Sequence, residues 1–246
     1  MMRKGFLIGL FAILLLFSSS SCNPSPQTDV DESAIAPNED TTTTTPIETP
    51  SLEPTSPAPE KSTYELTFNA TWSAETHPAD YDPSAHFSPF IIYGHTDSPD
   101  ALIFRENELA SPGIEQMAET GATDLLVDEI NTIIAGGYAN DFIKGSRIDS
   151  PGFDSGKFGF SQSSSQVTFV SMIAPSPDWF VATTANLFQD GQWVEKLTLE
   201  LISYDSGTDS GFTLTAADAD TQPREPITRL PETLQKMGTL TLQLIN

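Results

Sequence analysis

The residues best equipped for chemistry lie together in Tyr204-Asp205-Ser206-Gly207-Thr208-Asp209-Ser210-Gly211. Two carboxylates four positions apart alternate with hydroxyls, and the glycines let the backbone fold tightly around whatever the oxygens surround. A hard cation such as calcium takes about six to eight oxygen ligands, which carboxylates, hydroxyls and backbone carbonyls supply together. The aspartate spacing is not that of an EF-hand, and no glutamate closes the loop. Taken alone, an acidic glycine-rich segment is also an ordinary turn, so a third carboxylate decides. Asp178 is the candidate, in Ala174-Pro175-Ser176-Pro177-Asp178-Trp179. The prolines restrict that segment, and Trp179 beside the acid makes a partly dry setting in which an unpaired carboxylate is costly.

Other constellations are weaker. His77, His86 and His95 stand nine residues apart and match no zinc-ligand spacing. Asp-Ser-Gly occurs at Asp154, Asp205 and Asp209. An aspartic protease, however, needs two such aspartates sharing a proton in apolar strand-turn contexts, and none of the three has that context. There is no Gly-x-Ser-x-Gly elbow and no phosphate-binding glycine loop, so the chain is expected not to be an enzyme.

The balance of 34 acidic against 11 basic residues gives a formal net charge of −23. Nucleic acid is thereby excluded as a partner, because its affinity rests on Lys and Arg neutralising phosphates. Divalent cations are the natural counter-ligands of such a surface. A single cysteine permits no internal disulfide, and its place is informative. Arg3 and Lys4 precede an apolar run from Gly5 to Phe17, followed by Ser18 to Ser21 and then Cys22. Residues 1–21 read as a signal peptide, too short in its apolar part to span a membrane. The arrangement resembles a bacterial lipoprotein signal, in which the cysteine is acylated, although Ser19 stands where such signals carry Leu. The expected location is therefore secreted, on a bacterial outer membrane or cell surface, with the membrane as a partner through lipid on Cys22.

Residues 22–62 are rich in Pro, Thr, Ser and acids and carry no aromatic residue, the composition of a solvated linker that buries no core. From residue 63 to 246 the pattern changes. Tyr64, Leu66, Phe68 and Ala70 alternate with Glu65, Thr67, Asn69 and Thr71, which predicts a half-buried strand. Further strands are expected over 166–173, 179–184, 193–204, 212–215 and 239–245. Two helices interrupt them: one opening at Ser111 and Pro112 and ending at Gly121, the other from Asp124 to Ala135 with Thr123 as its cap. The expectation is one all-β domain, an antiparallel β-sandwich with a small helical insertion.

Several motifs together resemble the spondin N-terminal domain of F-spondin and M-spondin type matrix proteins, which also occurs in bacterial secreted proteins. The matching pieces are Tyr64 to Phe68 with Trp72-Ser73, His77-Pro78, Phe87-Ser88-Pro89 with His95, and Ala110 to Gly113 with Ala118-Glu119 and Gly121. Ser176 to Val181, Trp193-Val194 and Tyr204 to Gly211 follow in the same order. The resemblance implies an eight-stranded sandwich similar to calcium-dependent phospholipid-binding domains. It also implies a calcium ion held by Asp178, Asp205 and Asp209, in agreement with the chemistry above. His77 before Pro78 and His95 after Gly94 resemble positions of the family in which they brace loops by hydrogen bonds. The cysteines of the animal modules are absent here. The function this implies is a calcium-binding extracytoplasmic recognition or adhesion module for an unidentified protein, glycan or lipid head group. The alternative is a structural surface or periplasmic lipoprotein in which the metal only stabilises the fold.

Overall fold

The computed structural model describes residues 57–246. The signal peptide, Cys22 and most of the expected linker lie outside the described residues. Nine strands of four residues or more are present among them: β1 (Lys61–Ala70), β2 (Ile91–His95), β3 (Ala139–Lys144), β4 (Gly152–Ser161), β5 (Gln166–Ala174), β6 (Trp179–Asn186), β7 (Lys196–Glu200), β8 (Ile202–Asp205) and β9 (Gly238–Leu244). One sheet has the order β7-β9-β1-β4, and the other runs β8-β6-β5-β2-β3, all antiparallel. This is the expected antiparallel sandwich with one strand more than the eight implied. The first strand starts at Lys61, two residues ahead of the expected domain boundary, and the carbonyls of Ala58 and Pro59 already accept from the Gln162 side chain.

Alternation in β1 places Tyr64, Leu66 and Phe68 between the sheets, where Phe68 meets Phe87, Phe90 and Phe169 edge-on at centroid distances of 5.1, 6.0 and 4.9 Å. Such pairs add to the stabilisation already gained from burying the rings. β5 does not alternate; most of its residues are buried, because its second face is covered by α1 (Pro112–Thr120) and α2 (Asp124–Ala135). Ile91, Val170 and Phe180 pack there with Ile114, Met117, Leu126 and Ile130. Ser111 caps α1 as expected, its hydroxyl accepting from the Ile114 N–H, and Gly121 ends it in the left-handed conformation. The Thr123 side chain, in contrast, makes no capping bond to α2, and its hydroxyl is buried without a partner.

Three expectations are corrected. The single strand over 193–204 is broken at Leu201, which is buried and still bonded to the first sheet through the Gly238 carbonyl of β9; past it the chain enters the other sheet as β8. No strand forms over 212–215. A turn from Thr213 to Ala216 replaces it, and Phe212 is 87% exposed. β2, β3 and β4 have no counterpart among the expected strands; in β4, ten residues long, the glycines and Asp154-Ser155 dilute the apolar alternation that Phe158 and Phe160 carry.

Candidate functional site

β6 and β8 are antiparallel neighbours, and their register sets Asp205, the last residue of β8, opposite Trp179, the first of β6. Asp178 precedes Trp179, so this pairing alone brings two acids from distant sequence to the same end of the sandwich. The Ser206 N–H then bonds to the Asp178 carbonyl at 3.2 Å and closes the approach.

Asp178 is fully buried. Its Oδ2 accepts from the Thr208 N–H at 2.8 Å, the Asp209 N–H at 3.0 Å and the Ser206 hydroxyl at 2.9 Å, with the Thr208 hydroxyl at 3.3 Å. Its Oδ1 is equally buried and has no partner. One oxygen therefore organises the loop, and the other is an uncompensated buried acceptor. Asp205 Oδ1 accepts from the Gly207 N–H at 2.8 Å. Burial pushes the Asp205 carboxyl up to about 6, the Asp178 charge adds to this, and the Gly207 amide and neighbouring Trp179 indole oppose it without cancelling it. The Trp179 indole N–H itself reaches no acceptor at hydrogen-bond distance, whereas its backbone N–H bonds to the Ser176 hydroxyl at 3.1 Å.

Asp209 arrives at the same end but turns its carboxylate into its own loop, Oδ1 to the Gly211 N–H and Oδ2 to the Ala219 N–H, both at 2.6 Å. Among the described residues, no group of three or more His, Cys, Asp or Glu side chains is arranged to hold a metal ion. The three expected residues thus converge by backbone position, with Asp178 and Asp205 electrostatically coupled and Asp209 occupied by amides. Gly207 makes the tight loop possible. Its φ is 74°, and a Cβ there would run into the Glu225 carbonyl.

Sequence reasoning singled out neither Ser206 and Thr208 as supports of Asp178 nor Glu119 as a neighbour. Glu119, near the end of α1, has its carboxyl raised by burial first and by the charges of Glu115, Asp178 and Asp220, with the Thr208 side chain opposing. No local spacing announces it, because α1 is placed there by packing on the second sheet. The histidines brace loops as expected. His77 bonds to the Gln235 carbonyl and the Thr76 hydroxyl, and buried His95 to the Thr96 carbonyl and Thr168 hydroxyl.

A two-sheet antiparallel sandwich that gathers buried acids in the loops at one end defines a β-sandwich module with a loop-borne site. The chain belongs to the spondin N-terminal family: the family model described as Spondin_N matches residues 62–237. It is 33% identical over 175 residues to Spondin-2 of Rattus norvegicus, covering 68% of this chain and 52% of the relative. It is likewise 33% identical over 177 residues to Spondin-2 of Homo sapiens, with 68% and 52% covered. To Spondin-1 of Homo sapiens it is 31% identical over 173 residues, covering 67% of this chain and 21% of the relative. The chain therefore spans about half the length of the Spondin-2 relatives and about a fifth of Spondin-1.

Proposed function

We propose that this chain is a calcium-binding recognition or adhesion module that works outside the cytoplasm and is tethered to a bacterial membrane through lipid on Cys22. The observation that carries the metal reading is Asp178 Oδ1, a buried carboxylate oxygen without a partner, next to Asp205, whose carboxyl is pushed up to about 6. None of the four ion pairs among the described residues involves Asp178, Asp205 or Asp209, so the pocket is short of positive charge. The donor set is all oxygen, which suits a hard divalent cation. Asp178 through Oδ1 and Asp205 would supply ligands directly, and Asp209 through lone pairs that its two amide bonds leave free. The ion would neutralise and order this end of the sandwich, whose loops then contact an extracellular protein, glycan or lipid head group.

The reading is binding and not catalysis. None of the Asp-Ser-Gly triplets has the apolar strand-turn context of a proton-sharing dyad, and Asp154 lies in β4 of one sheet while Asp205 ends β8 of the other. No helix among the described residues is long and apolar enough to cross a membrane. The anchor rests on the sequence around Cys22, and palmitate labelling lost in Cys22→Ser is the result expected of it.

Calorimetric titration tests the metal. Calcium should bind with a 1:1 stoichiometry and raise the melting temperature with the logarithm of its excess over Kd. Both effects should be absent from Asp178→Asn and Asp205→Asn. A parent protein whose melting temperature is the same in calcium and in chelator contradicts the assignment.

A further inference from the structure

Strand β4 is the outer member of its sheet, pairing with β1 along its whole length and with no strand on its other side. The ladder itself tells which residues are left over. Thr63 gives its N–H to the Asn246 side chain and its carbonyl to the Ile245 N–H, so both of its backbone groups point toward the C-terminal strand. Gly159 stands opposite Thr63 in the β1–β4 register, and its N–H and C=O are thereby directed to the open side. The same alternation turns Lys157, opposite Glu65, outward. Ser155 comes next in this alternation, but the Asp154 carboxylate accepts its N–H at 2.8 Å and guards that end of the edge. The stretch Lys157–Gly159 stays open.

A groove of about 580 Å³ runs beside it, with Phe160 on the same wall, Asn140, Asp141 and Ile143 of β3 on the other, and Lys61 also lining it. One acid therefore faces two lysines across the groove, and Asp141 Oδ1 accepts from the Phe142 N–H at 2.8 Å. No atom lies within 4 Å of the place where a Cβ on Gly159 would stand. Lys61 and Lys157 form no ion pair among the described residues, and Glu65, across from Lys157, lies beyond ion-pair distance. Two unpaired lysines at an open edge are distinctive in a chain with 34 acidic and 11 basic residues.

We propose that the open edge at Lys157–Gly159 takes up an acidic peptide in extended conformation as an added strand. The main-chain groups of Lys157 and Gly159 would hold the peptide backbone. Carboxylates on alternate peptide residues share one face of the added strand, the spacing that Lys61 and Lys157 can meet from a single side. A second copy of this chain fits less well, because two β4 edges would bring their Lys157 residues together. The site is independent of the aspartate loops, so chelator should leave it intact.

The test is fluorescence anisotropy of the full-length protein with a labelled decapeptide alternating glutamate and valine, against one alternating lysine and valine. The acidic peptide should bind, less tightly as salt rises, and the basic one should not. Gly159→Pro removes the outward N–H at an edge position that tolerates proline, and it should weaken binding about fivefold or more. Gly159→Ala keeps the N–H and should bind as the parent does. The double substitution Lys61→Gln and Lys157→Gln should weaken binding and flatten its salt dependence, and it decides the matter should the proline variant not fold. Equal binding of the two peptides, or lysine variants that bind as tightly as the parent, overturns the proposal. So does a parent dimer that Gly159→Pro converts to monomer, because the occupant is then a second copy.

Discussion

Asp178 and Thr208 are joined by a buried hydrogen bond of 2.8 Å from the Thr208 N–H to Asp178 Oδ2, while the other oxygen of the same carboxylate has no partner. The two halves of this side chain therefore have separate consequences. Asp178→Ala leaves the amides of Thr208 and Asp209 and the Ser206 hydroxyl without their acceptor, and should cost about 3–5 kcal/mol in chelator and more in calcium, where the metal-induced gain is lost as well. Asp178→Asn can keep its amide oxygen toward those donors and place its NH₂ where Oδ1 stood. It should stay within about 1–2 kcal/mol of the parent without metal and lose the calcium-induced gain. Urea midpoints with and without chelator separate the two variants.

Asp205 gives the metal-free protein a pH dependence of definite sign. Its folded carboxyl titrates at about 6, above the ordinary aspartate value. Between the two values the folded state holds a proton that the unfolded chain has released, so this group's contribution makes stability fall as pH rises through that window. Above about pH 6 the penalty is present in full. Urea midpoints in chelator should therefore drop between pH 4 and pH 7 more steeply for the parent than for Asp205→Asn, with the variant the more stable of the two at neutral pH. A variant that parallels the parent throughout would remove the electrostatic strain from the account.

Where an element has one buried face and ordinary local chemistry, it was legible in advance: β1 and β9 by alternation, α1 by Ser111, Pro112 and Gly121. Where the decision is tertiary, it was not. Leu197, Leu199 and Leu201 continue one apolar rhythm, yet Leu201 makes the last bond to the first sheet, through the Gly238 carbonyl, and the chain then crosses to the other. Phe212 to Thr215 alternates like a strand, yet the chain turns there, with the Ala216 N–H on the Thr213 carbonyl. The pairing of Asp178 with Asp205 follows from the register of Trp179 on Asp205, a contact that local spacing does not encode. The role of Asp209 differs from that of a bare ligand for the same reason, since the chain returns ten residues on to place the Ala219 N–H on its carboxylate and the Ala219 carbonyl on the Ser210 N–H.

Trp179 is a built-in reporter for the proposed ion. It follows Asp178 directly, stands opposite Asp205 and is only 3% exposed, a dry position from which an indole should sensitise a lanthanide held by those acids. Terbium emission on excitation of tryptophan should appear at one equivalent, fall on adding calcium, and vanish in Asp205→Asn. Trp72 and Trp193 are also buried, so Trp179→Phe is the needed control, and it should abolish most of the transfer. Emission that survives this substitution unchanged would place terbium elsewhere.

His95 supplies a pH term of opposite sign to that of Asp205. It is 1% exposed, stacks on Tyr93 at a centroid distance of 4.6 Å, and holds the Thr96 carbonyl through Nδ1 and the Thr168 hydroxyl through Nε2. The carbonyl can only accept, so Nδ1 carries the proton of a neutral ring and Nε2 accepts from Thr168. Burial lowers its pKa, with the Thr96 bond opposing. As pH falls below the ordinary histidine value of about 6.5, the unfolded chain gains a proton that the folded state resists, and stability contributed by the neutral ring is lost. His95→Gln keeps a donor and an acceptor without a titrating group. It should be less stable than the parent at pH 7 through poorer packing, and should lose less on moving to pH 5. Measured in chelator, the parent's change between those pH values combines this loss with the gain at Asp205, so the His95→Gln and Asp205→Asn profiles should deviate from it in opposite directions. Deviations of the same sign would mean that one of the two groups is not buried as the fold places it.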